Sequence, residues 1–204
     1  MEVKISSGNS KLGSIPSVSL PSGLTCRSDC ECIKKCYAHK IERLRKTVRE
    51  AYHHNYRLLK DNPDTYWREV EASIMMSRFF RFHVSGDIPD KDYLSHIIKI
   101  ADRNAHCEIL CFTKKFEIVN EEMDDLAAQG KHFPTNLHLI LSGWRDFDLS
   151  NPYNLPEAHV RYKDGYTTAS EGAKECGGNC TECAITDDGC WTLQPGEQVV
   201  FNEH

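Results

Sequence analysis

Apolar and polar positions along the chain alternate between a period typical of strands and one typical of helices. The run FFRFHVSGD, residues 79–87, reads as a buried strand that ends in a Gly-containing loop, and Pro89 and Asp90 then open an amphipathic helix. The unit repeats, because HCEILCFTK is a strand, FEIVNEEMDDLAAQG is a helix stopped by Gly130, and NLHLILSGW is another strand. This alternation predicts an α/β fold with a mostly parallel sheet and right-handed crossovers.

Helical patterns also precede this unit. After an irregular lead rich in Ser, Gly and Pro, one helical pattern runs from about Ile33 to Leu59. The Asp61-Asn62-Pro63 sequence ends it and is predicted to cap a second helix, with the proline in the first turn.

The remainder of the chain changes character after one more predicted strand, AHVRYKDG, near residue 160. The following segment is rich in Gly and Cys and shows no apolar period. We therefore expect an α/β core over residues 1–165 and a Cys-rich, metal-binding or cluster-binding tail over residues 166–204, packed on that core.

Composition describes a folded protein rather than a disordered one, since 40% of the 204 residues are hydrophobic and 27% are charged. The first residues lack the apolar region of a signal peptide, and no apolar run approaches the roughly 18 residues that span a bilayer. These features predict a cytoplasmic protein without a membrane partner.

Charge is spread unevenly along the chain. The net charge of −5 argues against a protein that binds nucleic acid over its whole surface, yet residues 34–60 hold nine Lys and Arg against two acidic residues. Two interpretations of this basic helix stay open: a solvated face, or a surface that contacts the phosphates of nucleic acid.

Ten cysteines are the main chemical signal. Because cytosolic thiols stay reduced, a dense cysteine pattern there indicates metal binding or catalysis more often than disulfides. The cysteines fall into three groups, which are Cys26, Cys30, Cys32 and Cys36; Cys107 and Cys111; and Cys176, Cys180, Cys183 and Cys190. The middle pair, four residues apart on a strand, lies about 13 Å apart and is predicted to be buried structural cysteine.

The two groups of four are candidate metal ligands, because thiolates are soft charged donors that bind iron or zinc. The last group has the spacing C-x3-C-x2-C-x6-C with glycines available for tight turns. Three interpretations of that group stay open: an iron–sulfur cluster, a structural zinc ion and unmetallated thiols.

Strand ends supply the candidate cofactor-binding residues, since sites on parallel sheets draw on the carboxyl ends of the strands. Ser85, Gly86 and Asp87 close the first strand, Lys114 ends the next, and Arg145 follows the third. A Lys or Arg there can hold a carboxylate or a phosphate, whereas Asp87 taken alone reads as the cap of the next helix.

Several stretches together resemble the phage and mobile-element gene product 88 family, over most of the chain. They are GNSKLGSIPSVSLPSGLTC, CECIKKCYA, FRFHVSGD, FTK and the final cysteine group that closes in Cys190-Trp191. The family looks like a compact, distant relative of radical S-adenosylmethionine (SAM) proteins. This resemblance implies a partial (β/α) barrel and a [4Fe–4S] cluster with one open iron.

Carried over to this chain, the resemblance assigns that cluster to Cys26, Cys32 and Cys36, with Cys30 as an extra thiol able to close the open iron site. It also implies that Asp87 accepts the ammonium group of SAM. The spacing C-x5-C-x3-C departs from the C-x3-C-x2-C of ordinary radical SAM proteins.

The tail segment CGGNCTEC, residues 176–183, matches that ordinary spacing letter for letter. It follows the predicted sheet rather than its first strand, and Cys190 can supply a fourth ligand. The tail is therefore expected to hold an auxiliary, fully ligated cluster, with zinc as the alternative metal and an exchange of roles between the two groups left open.

Three functions follow. The first is a radical SAM-like enzyme that reductively cleaves SAM, served by a reductant protein, and acts on an unknown substrate. The second is a metal-stabilised module that binds nucleic acid or an acidic partner through residues 34–60. The third is an iron–sulfur electron carrier or redox sensor. No nucleophile elbow, Walker loop, zinc-protease or dinucleotide motif supports other classes.

Overall fold

Strands and helices alternate along the chain in the computed structural model, which describes residues 2–203. The strands are β1 (Ser17–Val18), β2 (Phe79–Phe82), β3 (Glu108–Thr113), β4 (Leu137–Ser142), β5 (Glu157–Arg161), β6 (Lys174–Glu175) and β7 (Gln198–Asn202). The helices are α1 (Tyr37–Leu44), α2 (Lys46–Asp61), α3 (Pro63–Met75), α4 (Lys91–Arg103), α5 (Phe116–Ala128) and α6 (Cys180–Ile185), with 3-10 turns at Glu31–Lys35 and Gly189–Trp191.

All seven strands belong to one sheet, in the order β1-β2-β3-β4-β5-β7-β6, and every pair of neighbouring strands is parallel. The predicted α/β fold with a mostly parallel sheet is therefore confirmed. The sheet is open between its edge strands β1 and β6, so over residues 2–203 it does not close into a barrel.

The helices α2 to α5 cover one face of the sheet. From β2 to β5 the strands follow one another in both chain order and sheet order, so crossovers of one hand place their helices on one side. Phe80, Phe82 and Ile109 point into this layer, where they join the main core with residues such as Val70 and Ile97. Alternation along the strand sends Arg81 to the opposite face.

The opposite face is covered by the N-terminal lead and the C-terminal tail rather than by long helices. A second core forms there between Leu110 and Ile140 of the sheet and Leu12, Trp191 and Leu193 of these two segments. The two faces of one sheet therefore have different covers, one helical and one rich in cysteine.

Two helices begin as the sequence predicts. Asn62 caps α3 by accepting a hydrogen bond from the Thr65 N–H at 3.1 Å, and Pro63 is the first helical residue. Asp90 caps α4 in the same way through Tyr93 N–H at 2.9 Å. The interpretation of Asp87 as a helix cap is therefore wrong, since Asp90 fills that place.

The single helix expected from Ile33 to Leu59 is wrong, because the chain breaks twice, at Cys36 and at Arg45, both with extended backbone. Tertiary anchors explain the second break. Glu42 of α1 accepts hydrogen bonds from Ser22 N and from the Ser85 hydroxyl, whereas Asn55 of α2 bonds the backbone of Lys4 and of Ser19. The anchors hold α1 and α2 against different parts of the N-terminal segment, and the chain between them leaves the helical conformation.

The strand expected over residues 79–87 is also shorter, because β2 ends at Phe82. His83 has φ +60°, which takes it out of the extended conformation, and the following residues form the loop that leads to α4. This turn sets the position of residues 84–87 at the carboxyl edge of the sheet.

The tail contains a strand that the sequence did not predict, because its residues show no apolar period. Strand β7 lies between β5 and β6, and its Val199 and Val200 are buried. The last strand of the described chain thus extends the sheet. Among the helices of residues 2–203, none combines the length and apolar character that a membrane span requires.

Candidate functional site

The N-terminal cysteine loop lies across the carboxyl ends of the strands, where three backbone anchors hold it. Asp87 N–H donates to the Thr25 hydroxyl at 2.9 Å, after the end of β2. The Arg27 guanidinium donates to the Lys114 carbonyl at 3.0 Å, after β3, and Glu31 N–H donates to the Asp146 carboxylate at 2.7 Å, beyond β4. The loop is therefore fixed at the edge of the sheet where parallel folds place their sites.

Cys26, Cys32 and Cys36 lie close enough together within this loop for their charges to interact. Burial, as the largest effect, raises the pKa of the Cys26 thiol to about 11. The Cys32 thiol shares a hydrogen bond with Cys30, which, together with burial, raises the pKa of Cys32. That bond and the Cys32 N–H, 3.4 Å from Cys30 Sγ, lower the pKa of Cys30, so within this hydrogen-bonded pair Cys30 is the thiol that carries negative charge more readily.

The predicted residues Ser85 and Gly86 support the loop from below. The Ser85 hydroxyl donates to Glu42 at 2.8 Å and so fixes α1. Gly86 has φ +80°, and a β-carbon there would lie 2.7 Å from both the Leu20 carbonyl and the Thr25 hydroxyl. Only glycine permits this close approach of the loop to the turn.

Asp87 is buried beneath the same loop, with both carboxylate oxygens engaged. It accepts hydrogen bonds from the Thr113 hydroxyl at 2.6 Å, from Lys114 N–H at 2.9 Å and from its neighbour Ile88 N–H at 2.7 Å. Burial is the largest influence on its pKa and raises it above the usual value, although these hydrogen bonds oppose the rise. In this structure Asp87 ties the end of β2 to the end of β3.

Lys114 and Arg145 lie on different sides of the loop. The Lys114 charge favours the thiolate forms of Cys30 and Cys32, although at Cys32 the larger effects of the Cys30 hydrogen bond and burial still raise the pKa. The Lys114 ammonium lies 5.9 Å from the Trp144 ring centroid. Arg145 instead stacks on Tyr162, with 3.8 Å between its guanidinium carbon and the ring centroid. Lys114 thus belongs to the cysteine loop, whereas Arg145 lines a cleft beside Cys36.

The C-terminal group of four cysteines lines a cavity of about 480 Å³ on the sheet face opposite the helices. Its wall includes Cys176, Cys180, Cys183, Cys190 and Arg81. Burial raises the pKa of Cys190 to about 12, and the other three cysteines of the group act on it electrostatically. The structure therefore brings all four predicted residues of this group together.

Backbone contacts with two distant segments fix this second group. Cys176 N–H donates to the Val200 carbonyl of β7 at 2.9 Å, and Cys180 N–H donates to the Lys11 carbonyl at 2.9 Å. The Trp191 indole closes the group by donating to the Cys180 carbonyl at 3.2 Å. The tail, the lead and the sheet all contribute to the shape of the cavity.

Arg81 lies between the two cysteine groups. Its guanidinium is 4.0 Å from Cys180 Sγ, and its Nε atom is buried without a hydrogen-bond acceptor among residues 2–203. The Tyr37 side chain, whose hydroxyl donates to the Val84 carbonyl at 2.9 Å, is within electrostatic range of Arg81, Cys36 and Cys180 and therefore lies near both groups. Sequence reasoning missed Arg81, although a lone charge in the apolar run FFRFHV was a usable signal.

Cys107 and Cys111 are fully buried, as predicted, and belong to neither group. Cys111 Sγ lies 3.9 Å from His83 Nδ1, and His83 Nε2 lies 3.1 Å from the Tyr93 hydroxyl. Burial, with a smaller effect of the Arg81 charge, lowers the pKa of His83 to about 3. A buried histidine thus lies between Cys111 and Tyr93 in the core.

No three His, Cys, Asp or Glu side chains among residues 2–203 converge closely enough to hold a single metal ion. All ten cysteines lie within this range and are free thiols.

Comparison with known proteins gives one family. Residues 3–193 match the family described as gene product 88. The gene 88 protein of Mycobacterium phage L5 is 27% identical over 148 residues, which are 64% of this chain and 62% of that protein. The gene 88 protein of Mycobacterium phage D29 is 32% identical over 102 residues, 43% of this chain and 42% of that protein.

The aligned region thus spans less than two thirds of the length of either relative. No solved structure matches the chain.

Proposed function

The chain belongs to the gene product 88 family, and we propose that it is an iron–sulfur protein with two centres, whose N-terminal centre acts as a SAM-cleaving enzyme. One observation carries the proposal. Eight cysteines from opposite ends of the sequence gather into two groups of four beside one sheet, and Arg81 and Tyr37 lie between the groups.

The donor set of each group fits an iron–sulfur cluster. Each group offers four cysteines whose thiolates are soft, charged donors, and four cysteines are the usual ligand set of such a cluster. The C-terminal group also borders a cavity of about 480 Å³. Zinc bound by the same thiolates is the alternative, and metal analysis distinguishes the two.

The resident group in the loop would be held by Cys26, Cys32 and Cys36, with Cys30 as the extra thiol. When bound and reduced, a [4Fe–4S] cluster supplies the electron that breaks the sulfonium bond of SAM. The Lys114 ammonium offsets the negative charge of the thiolates, and the anchors at the strand ends hold the loop in one position.

The fold supports this proposal in one further respect. Strands β2 to β5 run in sequential order with helices on one side only, as in one segment of a (β/α) barrel. The loop then lies at the carboxyl edge of that segment, and the C-terminal cysteines lie on the face that would be the interior.

The test is cleavage of SAM to 5′-deoxyadenosine by anaerobically purified, dithionite-reduced protein. We expect cleavage by the native chain and loss of it in Cys32→Ala, while Cys107→Ala, which alters a buried cysteine outside both groups, keeps it. Cleavage that persists in Cys32→Ala overturns the assignment. Zinc in place of iron overturns the proposal altogether, and reversible redox cycling without SAM cleavage replaces the enzyme by an electron carrier.

A further inference from the structure

A second cleft, of about 910 Å³, opens beside Cys36. One wall is the 3-10 turn with α1, and the other comes from residues after β4 and β5 together with Glu203. The cleft therefore touches the N-terminal cysteine loop without belonging to it.

The lining of the cleft is strongly basic in a chain of net negative charge. Its cations are Lys34, Lys35, Lys40, Arg43, Arg145 and Lys163, and its carboxylates are Asp164 and Glu203. Both carboxylates are already paired, because Asp164 binds Arg145 at 2.9 Å and Glu203 binds Lys35 at 2.7 Å. Lys40 and Arg43 have no acidic partner within salt-bridge distance among residues 2–203, so a positive field remains.

The orientation of α1 explains why these cations face the cleft. Ala38 and Glu42, four residues apart, are buried, and Glu42 is fixed by Ser22 and Ser85. The residues of the other helix face, Tyr37, Lys40, Arg43 and Leu44, line the cleft.

The opposite wall presents a cation that is already held in place. Arg145 stacks on Tyr162 at 3.8 Å, and its backbone N–H donates to the Tyr162 hydroxyl at 3.0 Å. A positioned guanidinium loses little side-chain entropy when it binds an oxyanion. Asp164 already binds the Nη2 atom of Arg145, so the remaining N–H groups are the ones that can donate to a phosphate oxygen.

We propose that this cleft binds the phosphate ester of a nucleotide-sized substrate. Lys40 and Arg43 of α1 take the phosphate with help from Arg145, and the Tyr37 ring, which is 41% exposed, offers a face on which a base can stack. The volume is far larger than a phosphate ion needs and lies at the upper end of small-molecule sites, which span about 300–1,000 Å³.

This inference names the substrate class of the proposed iron–sulfur centre and in that sense rests on it, since Cys36 belongs to both. Binding itself needs only the cations of the cleft. The two proposals can therefore fail separately.

The experiment is calorimetric titration of the anaerobically purified full chain with each of the four ribonucleoside 5′-monophosphates, the matching nucleosides and a 12-nucleotide single-stranded DNA. We expect at least one monophosphate to bind about tenfold or more tightly than its nucleoside, because a charge-assisted contact to phosphate contributes that much. The affinity should also fall as salt rises.

A double variant, Lys40→Gln with Arg43→Gln, should weaken that binding about tenfold or more. The matched control, Arg45→Gln with Arg49→Gln, removes two exposed cations that do not line the cleft and should leave affinity unchanged. Equal losses in both variants overturn the inference, because they indicate a general charge effect.

Other outcomes of the titration also test the proposed phosphate site. If the monophosphates bind no more tightly than the nucleosides, the proposed phosphate site is wrong. If DNA binds and no monophosphate competes with it, the ligand of the cleft is a nucleic-acid strand rather than a small substrate. Iron measured on the same samples separates the two proposals. Phosphate binding by iron-free protein leaves the cleft standing and overturns the cluster, whereas iron without phosphate binding overturns the cleft alone.

Discussion

The two cysteine groups of this protein lie beside one sheet but have opposite surroundings. The N-terminal group lies across polar strand ends, close to Asp87, and its Cys36 lines a basic cleft. The C-terminal group packs on apolar residues of the sheet face and is closed by Trp191. Similar thiols can therefore serve chemistry at the first site and the stability of the fold at the second.

Removal of one thiol from each group should give the largest difference in unfolding free energy between the two groups. Cys180→Ser opens the group that joins lead, tail and sheet, so we expect loss of about half of the iron and more than about 3 kcal/mol of unfolding free energy, because the proposed cluster would couple metal binding to folding there. Cys32→Ser should lose the other half of the iron with less than about 1 kcal/mol of destabilisation. Iron analysis and denaturant unfolding measure both.

Cys107→Ser, which leaves both groups intact, is the control and should keep all of the iron. Equal destabilisation by Cys180→Ser and Cys32→Ser would remove the distinction between a structural and a chemical group.

Acid should lower the stability of the folded chain through His83, the buried histidine that follows β2. Burial lowers the folded-state pKa of His83 to about 3, whereas an unfolded histidine takes up a proton below about 6.5. Stability from this group is thus present above pH 6.5 and is lost as pH falls toward 3. At pH 5 the loss should be about 2 kcal/mol.

His83→Asn removes the titration and tolerates the positive φ of this position. We expect its unfolding free energy to depend less on pH between 6.5 and 5 than that of the native chain. The exposed His132→Asn is the control and should retain the native slope. A native slope in His83→Asn would mean that this histidine is not the source of the pH dependence.

A pair of glycines tests how tightly the C-terminal group is packed. Gly189 and Gly130 both have φ +62°, but a β-carbon on Gly189 would lie 3.0 Å from Cys183 Sγ, whereas one on Gly130 meets nothing within 4 Å. Alanine at either position should cost about 1 kcal/mol for the backbone alone.

Gly189→Ala should cost about 1 kcal/mol more and lower the iron content, since Cys183 must move. Thermal unfolding and iron analysis of both variants provide the comparison. Identical behaviour of the two would show that the tail adapts freely around its thiols.

The sequence predicted the parts of this fold in which local pattern and tertiary contact agree. Strands β3 and β4 and helices α3 to α5 follow their apolar periods and caps, so they appear nearly where expected. Strands β1 and β6 have only two residues each and carry no period. The break at Arg45 depends on the distant partners of Glu42 and Asn55, which no local propensity encodes.

The sequence predicted most residues of the candidate site but not their arrangement in space. Cysteine spacing indicated both groups, and strand ends indicated residues 85–87 and Lys114. The position of Arg81 between the groups depends on strand alternation combined with the docking of the tail. The basic cleft combines residues from four separate segments, and only the folded chain brings them together.

The position of β7 sets an order of assembly during synthesis on the ribosome. Residues of the N-terminal loop and their anchors at the strand ends have all been made by residue 146. Cys176, by contrast, is held by Val200 of β7, which the ribosome adds after every cysteine of the chain. The N-terminal cysteine group and its anchors can therefore assemble on a nascent chain, whereas the C-terminal cysteine group must wait for β7 to enter the sheet between β5 and β6.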